Sequence, residues 1–273
     1  MSAIQVASAK VAVYHRRLGL DLQERRVRLL IVIPVFNERK YVEQVLAKVL
    51  KFHHEVVLID DGSTDGTAEY LANRSDVHFI RHGKNKGYGQ SLIDGFEYAD
   101  RCGYDWVITM DCDEQHEPER IPDFIRAIET DRWDLISGSR YLQPLASDDL
   151  PPGDRRTINA TITSMLNETF GWNLTDSFCG FKAHRVSGTR KLRLTETGYA
   201  FPMQLWPQVY RADLRLTEIP VRLIYNDLSR TFGGVLDDAQ HRLRHYLDVF
   251  NNELTAPMGD PLVGSDELAY CCS

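Results

Sequence analysis

The run Leu29-Leu-Ile-Val-Ile-Pro34-Val-Phe36-Asn-Glu38 decides the fold. Leu29–Val35 is short, continuous and rich in β-branched residues, as in a strand buried on both faces. Pro34 cannot donate to a ladder, so the strand is ending there. Asn37 is placed to cap the next helix, with Glu38 in its positive first turn. Glu38–Leu50 then carries Val42, Val45, Leu46 and Val49 on one helical face. Working outward, the rhythm repeats. Val56–Ile59, Val77–Ile80, Trp106–Met110 and Leu135–Ser137 read as strands, and Asp65–Ala72 and Gly89–Ala99 as helices. This alternation predicts an α/β fold built from βαβ units, a mostly parallel sheet covered by helices on both sides.

Beyond residue 140 the pattern changes. Leu142–Asp154 reads as a long loop, Arg155–Phe170 and Tyr199–Ala212 as helices, Leu216–Tyr225 as a strand and Asp237–Asn251 as a charged amphipathic helix. The expected division is a 1–28 extension with a short helix around Tyr14–Arg28, a 29–140 half, a 141–254 half of the same domain, and a polar disordered tail over 255–273.

The chain has 273 residues, 43% hydrophobic and 26% charged, which excludes disordered and fibrous classes. A net charge of −7 argues against a general nucleic-acid binder. Five cysteines without a CxxC pair fit a reducing compartment and no thiolate zinc site. No apolar run approaches the ~20 residues of a membrane span, and residues 1–28 lack a signal-peptide core. The expected location is cytoplasmic, with peripheral contact at the cytoplasmic membrane face as a further option. The sequence assigns no oligomeric state.

Ligands of open parallel sheets gather beyond the carboxyl ends of the strands. Here those ends are acidic. Ile59-Asp60-Asp61-Gly62-Ser63-Thr64-Asp65 offers two carboxylates to a base or ribose, with Ser63 and Asp65 free to cap a helix. In Asn85-Lys86-Gly87-Tyr88-Gly89 the glycines let backbone N–H groups approach a ligand. Asp111-Cys112-Asp113-Glu114-Gln115-His116-Glu117-Pro118-Glu119 is the strongest signal. Residues two apart on an extended backbone point the same way, so Asp111 and Asp113 can converge on a hard cation, Mg²⁺ or Mn²⁺. Such a cation can bridge a diphosphate and neutralise its charge as it leaves. Basic candidates are Arg140 in Gly138-Ser-Arg-Tyr141, Arg155-Arg156 with Asn159 one turn on, Arg230 in Ser229-Arg-Thr-Phe-Gly-Gly234, and Lys191 with Arg193. Arginine suits phosphate because its fork binds two oxygens.

Taken in order, Ile-Pro-Val-Phe-Asn-Glu, Ile-Asp-Asp-Gly-Ser-Thr-Asp-Gly-Thr, Asn-Lys-Gly-Tyr-Gly and the Asp111–Glu119 run resemble the family 2 glycosyltransferases, over about residues 29–250. The resemblance implies a GT-A fold, and within the family it is strongest to polyprenyl-phosphate (dolichyl-phosphate) mannose and glucose synthases. It implies a metal held by Asp111, Asp113 and Gln115. It implies donor contacts from Pro34, Phe36, Glu38, Asp60, Asp61, Lys86, Gly87, Asp111 and Cys112, and acceptor contacts from Arg140, Arg155 and Asn159. Asp113, Arg140, Asp176 and Arg230 are the implied catalytic set.

The family's late Arg-x-x-Gly is met by Arg230 and Gly233, but the Ser-Lys after it is replaced by Val235-Leu236. The implied reaction is an inverting, single transfer of a hexose from a nucleoside-diphosphate sugar, UDP-glucose or GDP-mannose, to a polyprenyl phosphate. A phosphate acceptor requires no general base; a soluble hydroxyl acceptor requires one, with Asp176 the candidate, so an essential Asp176 would mark an alcohol acceptor. A non-catalytic nucleotide-sugar binder is a further alternative. Membrane docking would fall to an amphipathic surface such as His241–Leu247, a helix that reads equally as plain packing, or to a lipid on Cys271-Cys272.

Overall fold

The computed structural model describes residues 27–52, 54–143, 149, 151–225 and 231–257. The helix around residue 14, most of the polar tail with Cys271 and Cys272, and Arg230 lie outside the described residues.

Seven strands form one sheet: β1 (Leu29–Val35), β2 (Glu55–Asp60), β3 (His78–Arg81), β4 (Trp106–Thr109), β5 (Leu135–Ser139), β6 (Lys182–Arg185) and β7 (Leu216–Pro220), in the order β3-β2-β1-β4-β6-β5-β7. All pairings are parallel except those of β6, which runs against both β4 and β5. The helices are α1 (Val42–Val49), α2 (Thr67–Ala72), α3 (Tyr88–Arg101), α4 (Ile121–Glu129), α5 (Gly153–Phe170), α6 (Val186–Thr189), α7 (Phe201–Arg211) and α8 (Ala239–Thr255). The five strands expected before residue 140 are present. The expected strand over 216–225 stops at Pro220, which sits on the edge strand where a missing N–H costs least.

Alternation along β1 explains the layers. Leu30 and Val32 enter the core under α3, α5, α7 and α8, while Leu29, Ile31, Ile33 and Val35 enter the core under α1, α2 and α4. Every residue of β1 is buried, as a central strand covered on both faces requires. Gly95 lets α3 lie directly on β1: a Cβ there would sit 2.4 Å from Val32 Cγ1. Two of the described cysteines, Cys112 and Cys179, are buried free thiols.

Candidate active site

The strand order reverses between β1 and β4: the chain steps outward from β1 to β2 and β3, then returns to β1's other side. A crevice opens at such a switch point, beyond the strands' carboxyl ends. It is a cleft of about 510 Å³, within the range of small-molecule sites. One end is acidic, lined by Glu38, Asp61, Asp111 and Asp113; the other is basic and aromatic, lined by Arg140, Arg155, Arg242, Tyr225 and Phe232.

At the acidic end the loops after β1 and β2 are stitched together. Asp61 N donates to Val35 O at 2.8 Å. Asn37 takes a left-handed conformation (φ 57°), donates its N–H to Ser63 Oγ at 2.8 Å and accepts Thr64 N–H at 2.9 Å. Asn37 therefore joins two loops and caps no helix; α1 begins only at Val42. Ser63 is likewise spent on this junction, whereas Asp65 Oδ1 accepts Thr67 N–H at the start of α2. Pro34 and Phe36 line the cleft beside Glu38.

The adjacent carboxylates of Asp60 and Asp61 part company. Asp60 is fully buried, faces Ser63 N and Arg81, and is not among the cleft's lining residues. Asp61 lines the cleft and accepts the backbone N–H groups of Lys86 and Gly87 at 2.7 and 2.8 Å. Those two N–H groups, expected to face a ligand, are thus turned onto Asp61. His82, which belongs to none of the sequence motifs, is buried between Asp61 and Asp94 at 2.6 Å from each. Burial would lower the pKa of His82, but hydrogen bonds and charges from both carboxylates outweigh it and push the imidazole up to about 9.

Asp111 and Asp113 both line the cleft, but through a turn and not on an extended strand, since β4 ends at Thr109. Glu114 adopts φ 59° to make that turn, and Asp113 Oδ1 accepts Gln115 N–H at 3.0 Å. Cys112, between the two carboxylates, is buried, though it reaches the cleft wall with Gln115. His116 Nδ1 accepts Asp111 N–H at 3.0 Å. Burial pulls the His116 imidazole down to about 4, so it holds the loop as a neutral ring. Tyr88 donates its hydroxyl to Asp111 Oδ1 at 3.0 Å.

The residues present fit a hard divalent cation. Gly180 faces the Asp111 carboxylate, and a Cβ there would lie 2.8 Å from Oδ2 and from the Tyr88 hydroxyl. The glycine lets the Asp111 carboxylate and the Tyr88 hydroxyl sit directly against the backbone. The donors are carboxylate and amide oxygens, suited to Mg²⁺ or Mn²⁺. Among the described residues no three His, Cys, Asp or Glu side chains form a complete cage. An ion here would draw its remaining ligands from Gln115, substrate oxygens and water.

The basic end is organised by a residue that does not line it. Asp176 is fully buried; its carboxylate accepts Arg140 Nε at 2.6 Å, Arg140 Nη2 at 2.9 Å, Asn159 Nδ2 at 2.7 Å and the backbone N–H groups of Arg140 and Phe178. Burial alone would raise its pKa, but the Arg140 charge and these donors hold it at about 2. The fork of Arg140 is thereby fixed at the cleft wall. Arg155 packs over Phe232 and Tyr225, with its guanidinium carbon 4.9 and 6.0 Å from the ring centroids. Arg242 also stacks on Phe232, 4.5 Å from its ring centroid, and is ion-paired with Asp154.

Arg242 is a cleft residue that the sequence motifs do not include, and it falls within His241–Leu247, a stretch that the sequence reads equally as a docking surface or as plain packing. Arg242, Tyr246 and Phe250 form the buried stripe of α8, and Leu243 and Leu247 pack against the core, so this stretch is packing and cleft wall. The spacing of four from Arg242 to Tyr246 to Phe250 is the available signal. Lys191 and Arg193 do not line the cleft.

A sequence model of Glycosyl transferase family 2 matches residues 30–193. An undecaprenyl-phosphate mannosyltransferase of Micrococcus luteus is 29% identical over 224 residues, covering 78% of this chain and 91% of the relative. A polyprenol monophosphomannose synthase of Mycolicibacterium smegmatis is 26% identical over 234 residues, 80% of this chain and 86% of the relative. Among solved structures, glucosyl-3-phosphoglycerate synthase of M. tuberculosis superposes with a TM-score of 0.66 at 17% identity, over 85% of this chain and 82% of that one. The same synthase has been crystallised with Mn²⁺, UDP and phosphoglyceric acid; that form gives a TM-score of 0.64 at 18% identity, over 88% and 83% of the two chains. The parallel sheet with its acidic switch-point crevice is the GT-A fold, and the chain is a glycosyltransferase belonging to family 2.

Proposed function

We propose that this protein transfers a hexose from a nucleoside-diphosphate sugar to a polyprenyl phosphate in one inverting step. The division of the cleft supports this reading: carboxylates line one end and fixed arginines the other, and the sugar's reacting carbon would lie between them. Asp111, Asp113 and Gln115 would hold Mg²⁺ or Mn²⁺, which when bound neutralises charge on the leaving diphosphate. Asp61, with Pro34 and Phe36, would bind the nucleoside.

At the basic end Arg140 and Arg155 would align the acceptor phosphate for in-line attack. The phosphate is already anionic, so positioning and not proton removal is the chain's task there. Asn159 supports this indirectly, because its amide is committed to Asp176. The aromatic rings of Tyr225 and Phe232 would flank the first apolar carbons of the lipid. Arg230, from the sequence motif, would assist the leaving diphosphate.

The surroundings of Asp176 count against a hydroxyl acceptor activated by that residue. A fully buried carboxylate carrying five donors and a pKa of about 2 is a poor base. Its role is to position Arg140, so loss of Asp176 would impair transfer to either acceptor class and cannot separate them. The relatives named for polyprenyl carriers support a lipid-borne acceptor. No helix among the described residues is long and apolar enough to cross a membrane.

The test is a transfer assay on purified protein. UDP-glucose and GDP-mannose are each offered with a short polyprenyl phosphate, with Mg²⁺ or Mn²⁺ and then with EDTA, and products are identified by mass spectrometry. A cation-dependent glycosyl phospholipid is expected. Cation-dependent donor hydrolysis without lipid product would overturn the acceptor assignment.

A further inference from the structure

Asp61 reaches the cleft with most of its accepting capacity already used. Its Oδ1 faces His82 Nδ1 at 2.6 Å and accepts Lys86 N–H at 2.7 Å; its Oδ2 accepts Gly87 N–H at 2.8 Å. A carboxylate offers about four acceptor positions, so one is left, on Oδ2. The arrangement is rigid. His82 is buried and pinned from behind by Asp94 Oδ2 at 2.6 Å, and Asp94 Oδ1 accepts Gln90 Nε2 at 2.8 Å. With a carboxylate at each ring nitrogen, His82 is held as an imidazolium that donates in both directions. Gly87 is equally fixed: a Cβ there would meet Thr197 O at 2.2 Å.

The two common donor bases make different demands on such a carboxylate. Uracil presents a single N–H, flanked by two carbonyls. Guanine presents two donors side by side, N1–H and N2–H₂, which are matched by both oxygens of one carboxylate. With Oδ1 filled, guanine would leave one of its donors unpaired in a desolvated site.

Resting on the transferase reading above, we propose that His82, by occupying Asp61 Oδ1, makes this a uracil-reading site and selects UDP-sugars over GDP-sugars. An unpaired buried donor corresponds to an affinity difference of about tenfold or more.

The experiment is calorimetric titration of the full chain with UDP and with GDP, each with MnCl₂, in the wild type and two variants. His82→Asn keeps an amide donor near the Nδ1 position, facing Asp61, and gives up Asp94. His82→Gln reaches Asp94 and vacates Asp61 Oδ1. Both lose one of two buried hydrogen bonds, so general destabilisation affects them alike. The expected result is UDP favoured by about tenfold or more in the wild type, the same preference in His82→Asn, and near-equal binding in His82→Gln. Equal binding or a GDP preference in the wild type would overturn the base assignment while leaving the transferase reading intact. An unchanged preference in His82→Gln, or one lost in both variants, would overturn the role of His82. Binding of neither nucleotide would overturn the transferase reading, and this inference with it.

Discussion

The acidic and basic ends of the cleft are assembled by different means. The acidic end takes its groups from contiguous motifs at the ends of neighbouring strands, β1, β2 and β4, so the parallel sheet itself delivers Phe36, Asp61 and Asp111 to one place. The basic end gathers Arg140 from the end of β5, Arg155 from α5 and Arg242 from α8, with a buried carboxylate behind Arg140. The first is built by backbone topology and the second by side-chain pairing. Substitutions of the loop carboxylates Asp111 and Asp113 should therefore remove chemistry and spare the fold, while those at the basic end should cost both.

The largest effect tests the acidic end. Asp113→Ala is expected to lower turnover by about 10²–10³-fold or more with no change in melting temperature, because Asp113 belongs to a loop outside the core. A comparable loss of thermal stability would contradict the contrast. Next comes the basic end. Asp176→Asn should destabilise the fold by about 3 kcal/mol, since it strips the charge from one partner of a buried pair. In the residual folded protein, KM for the acceptor should rise while UDP affinity holds. Denaturant titration and steady-state kinetics read the two effects, and full stability of the variant would show that Arg140 stands without its partner.

The pH dependence of stability separates the ends again. Asp176 is held at about 2, below its ordinary 3.8, so its contribution is complete above about pH 4 and disappears as pH falls through 2. A shift of that size is worth about 2 kcal/mol. His82 is raised from 6.5 to about 9, so its contribution is complete below 6.5 and disappears as pH rises through 9. The acid limb should vanish in Asp176→Asn and the alkaline limb in His82→Asn. Limbs that persist in these variants would assign the titrations elsewhere. The smallest effect expected is that of Gly180→Ala, whose methyl must displace the Asp111 carboxylate or the Tyr88 hydroxyl. Mn²⁺ affinity measured with UDP should fall about tenfold, and an unchanged affinity would place the ion away from Asp111.

The same contrast explains how much of the molecule is legible in the chain alone. Strand ends are legible because parallel strands buried on both faces are written as uninterrupted apolar runs, and the residues just past each run must lie at the crevice. Asp111, Asp113 and Asp61 stand out for that reason. β6 does not, because Lys182-Ala-His-Arg185 carries no apolar run, although Lys182 and His184 are buried. Asp60 and Asp61 are neighbours in sequence, and only their opposite orientations on leaving β2 separate a buried residue from a cleft residue. His82 and Arg242 stay hidden because each acquires its role from long-range partners, Asp61 and Asp154, that no local pattern announces. The left-handed Asn37 shows the same limit: a capping residue by type becomes a link between loops because Ser63 and Thr64 stand opposite it.

Central to the proposed reaction is that the basic end receives an anion. In the most direct test, purified protein is given its donor with Mn²⁺ and an equimolar mixture of a short polyprenyl phosphate and the matching polyprenol, and the products are separated by mass spectrometry. Glycosyl phospholipid alone is expected, with loss of that product in Arg140→Ala. Glycosylated polyprenol as the main product, or phospholipid formation undiminished in Arg140→Ala, would contradict an anion-receiving basic end.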